Sequence, residues 1–439
     1  MKKKYRIILY TSIFLLCVVA SIILVVKKSN SVYEEESKPK VVKHKSMLSM
    51  NLEQTAGAGD YKTVTQSGWP TEGYKFNTEL SRCENGSTLS WDDTKKAVIV
   101  SGNLSDKCYV YFDIYVPPRF DETCDTSTLA CYIAKQYTGT QGDNSLYYHD
   151  SDLANGAGDN SYRYAGANPN NFVCFGSDAS PCPTDNLYRI IGVFGENYHG
   201  VTGKQLVKLI KYDYMTTDEL GTDGDYSQTY EEWGMDSTYK GTYGDGERIG
   251  VYYWNYKATN SATNTWSTSL LNKTNLNTNF INNIGTTWAN KIATVTWKVG
   301  GNTYANISQS VPATTYQNEI VNPVTTNTTD NATTYSAKIG LMYVSDYGFA
   351  ASPDAWTLTM SSYNNTTATN NNWMYMGLYE WTISRRADYS FLAFFVNSVG
   401  HVDYVDVFSY GGVRASFSLE SSVSYVSGSG SMSDPIVIN

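Results

Sequence analysis

The chain has 439 residues, room for two to four domains, and 41% hydrophobic with 14% aromatic content excludes a disordered polymer. Six of its 33 Lys and Arg lie in residues 1–28, so 27 cations face 42 acids in the remainder. Such a body repels phosphate backbones, which argues against a nucleic-acid partner. Tyr outnumbers Phe by 37 to 14. A flat apolar ring with a hydroxyl suits both sheet faces and contact surfaces.

At the N-terminus, Lys2, Lys3, Lys4 and Arg6 precede an uncharged run over 7–26, and Lys27 and Lys28 follow it. About twenty apolar residues at ~1.5 Å each cross a ~30 Å hydrocarbon layer. The run is longer than the core of a cleaved signal peptide and does not end in small residues. Residues 1–28 are therefore expected to be a single-pass membrane anchor. The heavier positive flank predicts a cytoplasmic N-terminus and an extracellular body. Cys17 follows Leu15 and Leu16 inside the run and reads as a membrane-buried thiol. Residues 29–56, mixing Glu34, Glu35 and Glu36 with several lysines, read as a solvated stalk.

Six cysteines remain: Cys83, Cys108, Cys124, Cys131, Cys174 and Cys182. An even number in an extracytoplasmic chain predicts three disulfides, with fifteen connectivities open. The local solution pairs Cys83 with Cys108, Cys124 with Cys131 and Cys174 with Cys182. Zinc is the rival, but no Cys-x-x-Cys occurs and His44, His149, His199 and His401 are far apart.

Residues 57–120 read as a small β domain. Leu89-Ser90-Trp91 and Ala97-Val98-Ile99-Val100 flank a hairpin turn, and a strand over 108–116 ends at Pro117-Pro118. A short helix is expected over 126–137, with Leu129, Ile133 and Tyr137 at four-residue spacing. In 146–171, Asp150, Asp152, Asn155, Asp159 and Asn160 offer oxygens for calcium. Ala154 stands where an EF-hand needs a ligand, so a solvated loop is expected, and no cofactor. Residues 187–194 and 205–210 read as a buried hairpin pair, and 221–246 as acidic loop. Residues 264–297 have helical spacing divided at Gly285, 322–334 form an Asn/Thr-rich surface loop, and 339–344 a buried strand.

The last hundred residues alternate most clearly. Phe394, Val396, Val402, Val405, Val407, Val413, Ala415, Phe417 and Leu419 form an apolar lattice. Between them stand Arg386, Asp388, Tyr389, Phe391, Asn397, His401, Asp403, Tyr404, Asp406, Phe408 and Tyr410. Rigid aromatics among adaptable polar groups have the layout of a recognition surface, and these eleven are the candidate ligand-binding residues. An ordinary solvated sheet face is the alternative.

Trp266-Ser267-Thr268-Ser269-Leu270, Leu276-Asn277-x-x-Phe280, Lys338-Ile339-x-Leu341, Trp381-Thr382-Ile383-Ser384, Val396-x-Ser398-x-Gly400 and Gly412-Val413-Arg414 carry a resemblance. They look like a family of bacterial surface domains of unknown function, widespread in Gram-positive gut bacteria. That family is similar in layout to the C-type-lectin-like fold of formylglycine-generating enzymes. Ala415 replaces its usual Pro, and Ser384-Arg385 inverts its usual Arg-Ser order. The resemblance implies an α+β, β-rich fold: the membrane helix, the small stapled β unit, then a C-type-lectin-like domain over 121–439 with a display segment over 381–419. It also implies that the segment is diversified by a retroelement.

Formylglycine-generating enzymes use a C-terminal cysteine pair, and no Cys follows Cys182. No Gly-x-Ser-x-Gly elbow, phosphate-cradling loop or zinc helix occurs. Acid pairs such as Asp403 with Asp406, or Glu231 with Glu232, lack a distinguishing environment. The expected function is non-catalytic binding of an extracellular protein or glycan. A self-associating envelope protein is the alternative, and a secreted carbohydrate-active enzyme a distant third.

Overall fold

The computed structural model describes residues 47–65, 73–103, 105–256, 263–324, 332–364 and 366–439. The chain divides into two units, one ending at Pro118 and the other beginning at Arg119.

In the first unit the strand Lys107–Ile114 is central. Met47–Glu53 pairs with it in parallel, and Tyr74–Phe76 and Arg82–Cys83 pair antiparallel. Tyr61–Val64 extends the sheet beyond Met47–Glu53. Alternation turns Met50, Leu52, Val110 and Phe112 inward with Phe76, and Trp91 of the hairpin Thr88–Asp92/Ala97–Ser101 packs edge-on to Phe112. This core is small, and the Cys83–Cys108 disulfide links directly opposed residues of two strands. Met47–Glu53 begins inside the segment expected to be stalk. Its one acid, Glu53, is buried and accepts the backbone N–H groups of Gly59 and Ile114.

The larger unit is built on an antiparallel sheet. Its order is Ile339–Gly340, Ser416–Ser418, Leu206–Lys211, Leu187–Phe194, Ser161–Tyr164, Leu146–His149, with Phe172–Cys174 also beside Leu187–Phe194. Leu187–Phe194 and Leu206–Lys211 are buried along their whole lengths, so they read as continuous apolar runs. The register shifts near Gly192, where a Cβ would sit 2.1 Å from the Tyr162 carbonyl oxygen. Only glycine allows that approach.

Residues 146–171 are not a solvated loop. Leu146–His149 and Ser161–Tyr164 form a buried hairpin. Arg163 there pairs with Asp159 at 2.7 Å and lies over the Phe194 and Phe349 rings at 4.7 and 4.9 Å. Asp150 accepts the Asp152 and Leu153 N–H groups. Asp150 and Asp159 thus bond within the protein.

The disulfides Cys124–Cys131 and Cys174–Cys182 complete the local pairing. Cys131 sits in the short helix Leu129–Ala134, capped by the Thr128 hydroxyl. The expected helical region runs through Leu271–Phe280, π-wound, and Ile281–Ala289, which breaks at Gly285 with φ 74°. Trp297 ends differently: it lies in the strand Val295–Lys298, paired with Thr334–Ala337.

The expected single-pass membrane protein is corrected. Among the described residues no helix is long and apolar enough to cross a membrane. Leu271–Phe280 and Ile281–Ala289 together carry six Asn, whereas a span needs ~20 mostly apolar residues. Among the described residues the fold is therefore strand-rich with short helices and has no membrane-spanning helix, which argues against the expected single-pass localisation. The run over 7–26 and the anchor expected over 1–28 lie outside the described residues.

Two further sheets position the site. One comprises Glu380–Arg385, Leu392–Val396 and Val402–Asp406; the other Tyr226–Thr229, Gly250–Tyr253 and Tyr410–Gly411. The Trp381 indole N–H donates to Tyr252 O at 2.8 Å, and the Trp254 indole N–H to Thr382 O at 2.9 Å. The sheets are thus clasped to each other.

Candidate ligand-binding pocket

Strand register puts Trp381 opposite Phe395 and Phe395 opposite Asp403, so these three side chains share a face. One step along, Ala393 faces Val405. The strand Tyr410–Gly411 adds Tyr410, and the helix Tyr230–Trp233 adds Trp233. That helix starts in a capping box, with Glu232 accepting the Thr229 N–H at 3.0 Å, and stops at Gly234, whose φ is 106°.

Trp233, Tyr379, Trp381, Phe395, Val405 and Tyr410 line a pocket of about 360 Å³. Ring centroids are 5.4 Å apart for Trp233–Tyr379, 5.0 Å for Trp233–Tyr410, 5.6 Å for Tyr379–Phe395 and 6.2 Å for Trp381–Phe395. Tyr379 remains 37% exposed. Three polar groups nearby already have partners. The Tyr230 hydroxyl donates to Tyr379 O, and the Trp381 indole is committed to Tyr252. Buried Glu380, whose carboxyl burial pushes up, pairs with Arg414 at 2.8 Å. Arg414 also donates to Met374 O. What opens to a ligand is chiefly aromatic surface.

Of the eleven candidate residues, Tyr410 lines this pocket and Asp403 shares its face. Arg386, Asp388, Tyr389 and Tyr404 form a separate cluster. Arg386 is buried, bonds Asp388 through two nitrogens at 3.0 and 2.6 Å, and lies over the Tyr404 and Tyr389 rings at 4.1 and 4.3 Å. Tyr404 and Asp406, paired with Phe394 and Leu392, point to the opposite face from Phe395. Asn397 is buried and holds a tight turn, accepting the Val399 and His401 N–H groups while its amide meets the His401 ring. Phe391 and Phe408 are exposed. The eleven therefore occupy two faces and a turn. Sequence reading missed Trp233, Tyr379, Trp381, Phe395 and Val405 as site residues. Val405 stands in the apolar lattice and Trp381 in a stretch that carries the resemblance, but nothing local marks either as open to a ligand. Trp233 sits in a region read as loop, far from them in sequence, and carries no local signal.

Among the described residues the one cluster with ligand spacing is Cys83, Asp106 and Cys108, and its two sulfurs form a disulfide. No protein-family model, curated protein or solved structure matches the chain.

Proposed function

We propose that the larger unit is a non-catalytic binding module whose aromatic pocket captures a protein or glycan ligand. The observation that carries this reading is the pocket itself: five aromatic side chains line it, four of them partly exposed, beside a Tyr230 hydroxyl, a Trp381 indole and a Glu380 carboxyl that already have partners. Such a lining favours a group with a flat apolar face, an aromatic or prolyl side chain or the face of a sugar ring. Aromatic anchors in concave sites dominate binding energies. The resemblance to lectin-like surface domains supports the same reading, and three disulfides suit folding in an oxidising environment.

The test is a glycan and protein array probed with the full chain and with Trp233→Ala/Tyr410→Ala. Ligands retained by the parent and lost by the variant, with unchanged circular dichroism, support the pocket. A parent that retains no ligand, or a variant that binds the same ligands equally, overturns it.

A further inference from the structure

A second cleft of about 190 Å³ lies elsewhere in the larger unit, beside the helix Leu129–Ala134. Its nine lining residues offer amide, hydroxyl and aliphatic groups and no charge. Tyr164 is the informative one. It is 3% exposed, and among the described residues no protein group hydrogen-bonds its hydroxyl, which opens onto the cleft and can be satisfied only from within it. Around it the amides are pre-ordered. Gln136 donates its side-chain N–H to Tyr132 O, and Asn144 donates to Gln136 O. Each amide oxygen is left to accept. Tyr132 is fixed by stacking on Tyr425 at 3.6 Å. Asn144 and Ser145, both on the lining, hold left-handed φ of 56° and 59°. Adjacent non-glycine residues of this kind are strained, and such strain concentrates at working sites.

We propose that this cleft binds a neutral saccharide residue. Sugar hydroxyls both donate and accept, which matches one orphan phenol and two oriented amide oxygens. An ion would enter without a counter-charge and lose its hydration uncompensated, so charged ligands are disfavoured. The site is separate from the aromatic pocket and shares no lining residue with it.

The experiment uses the intact, disulfide-bonded chain and the methyl glycosides of glucose, galactose, mannose and N-acetylglucosamine, followed by saturation-transfer NMR and calorimetry. At least one glycoside is expected to bind the parent. Tyr164→Phe removes only the orphan hydroxyl, so thermal stability should hold while affinity falls roughly tenfold. Asn144→Gly, which suits the left-handed backbone, should likewise keep the fold and weaken binding. A glycoside whose affinity falls in Trp233→Ala but not in Tyr164→Phe sits in the aromatic pocket instead and overturns the proposal for this cleft. No saturation transfer to any of the four glycosides overturns the proposal, as does equal affinity in Tyr164→Phe.

Discussion

On one face of the sheet formed by Glu380–Arg385, Leu392–Val396 and Val402–Asp406, Phe395 leaves ring surface open to a pocket beside the buried Trp381. On the other, Tyr404 covers the Arg386 guanidinium, which Tyr389 flanks and Asp388 neutralises. Both faces contain aromatic and charged residues, and composition does not distinguish them. The difference is whether the groups satisfy one another. The Arg386 cluster is closed within the protein; the Trp233–Tyr410 pocket is open to a ligand.

The comparison is broken most strongly from beneath. Glu380 and Arg414 are both buried at the base of the pocket, and truncating one leaves the other's charge unpaired. Glu380→Ala should cost about 3–5 kcal/mol in urea unfolding and abolish ligand capture with it. Unchanged unfolding would show that the pair does not support the pocket.

A second buried carboxyl anchors the same strand. Glu319 accepts the Ser384 hydroxyl and the Val344 and Ser345 N–H groups, and burial pushes its pKa up to about 7. Between pH 4.5 and 7 the folded chain holds a proton there that the unfolded chain releases. Stability from this group is therefore lost as pH rises through that window, by on the order of 3 kcal/mol. His149 opposes it: burial holds it neutral, with a pKa pulled down to about 3, so its contribution is lost as pH falls below 6.5. Glu319→Gln should unmask that trend, giving stability that rises more steeply with pH between 4.5 and 6.5 than in the parent. Parallel profiles would refute the assignment.

Binding separates the faces directly. Trp233→Ala should weaken ligand capture by about 2 kcal/mol, roughly thirtyfold, by calorimetry. Arg386→Ala should leave capture intact and lower stability by only about 1 kcal/mol, because its ion pair is partly exposed. A large binding defect in Arg386→Ala would move recognition to the closed cluster.

Much of the frame was legible because local chemistry specified it. Leu187–Phe194 and Leu206–Lys211 announced themselves as apolar runs, Gly285 marked the helix break, and the six cysteines from Cys83 to Cys182 paired in consecutive order. Burial of polar residues hid the rest. Asp159 and Arg163 made a buried hairpin look like a solvated loop, and the surrounding lysines and acids obscured Met47–Glu53. The pocket was invisible for another reason: Trp233, Tyr379 and Tyr410 meet only through long-range packing, and alternation assigns a side chain to a face without showing what stands opposite it.

The two indole clasps have a mechanical consequence. Trp381 and Trp254 each fasten a ring nitrogen to the main chain of the adjoining sheet, well inside the solvent boundary. Exchanging the outermost side chains, such as Tyr389, Phe391 or Phe408, touches neither fastening. Such exchanges leave the link between the two sheets in place.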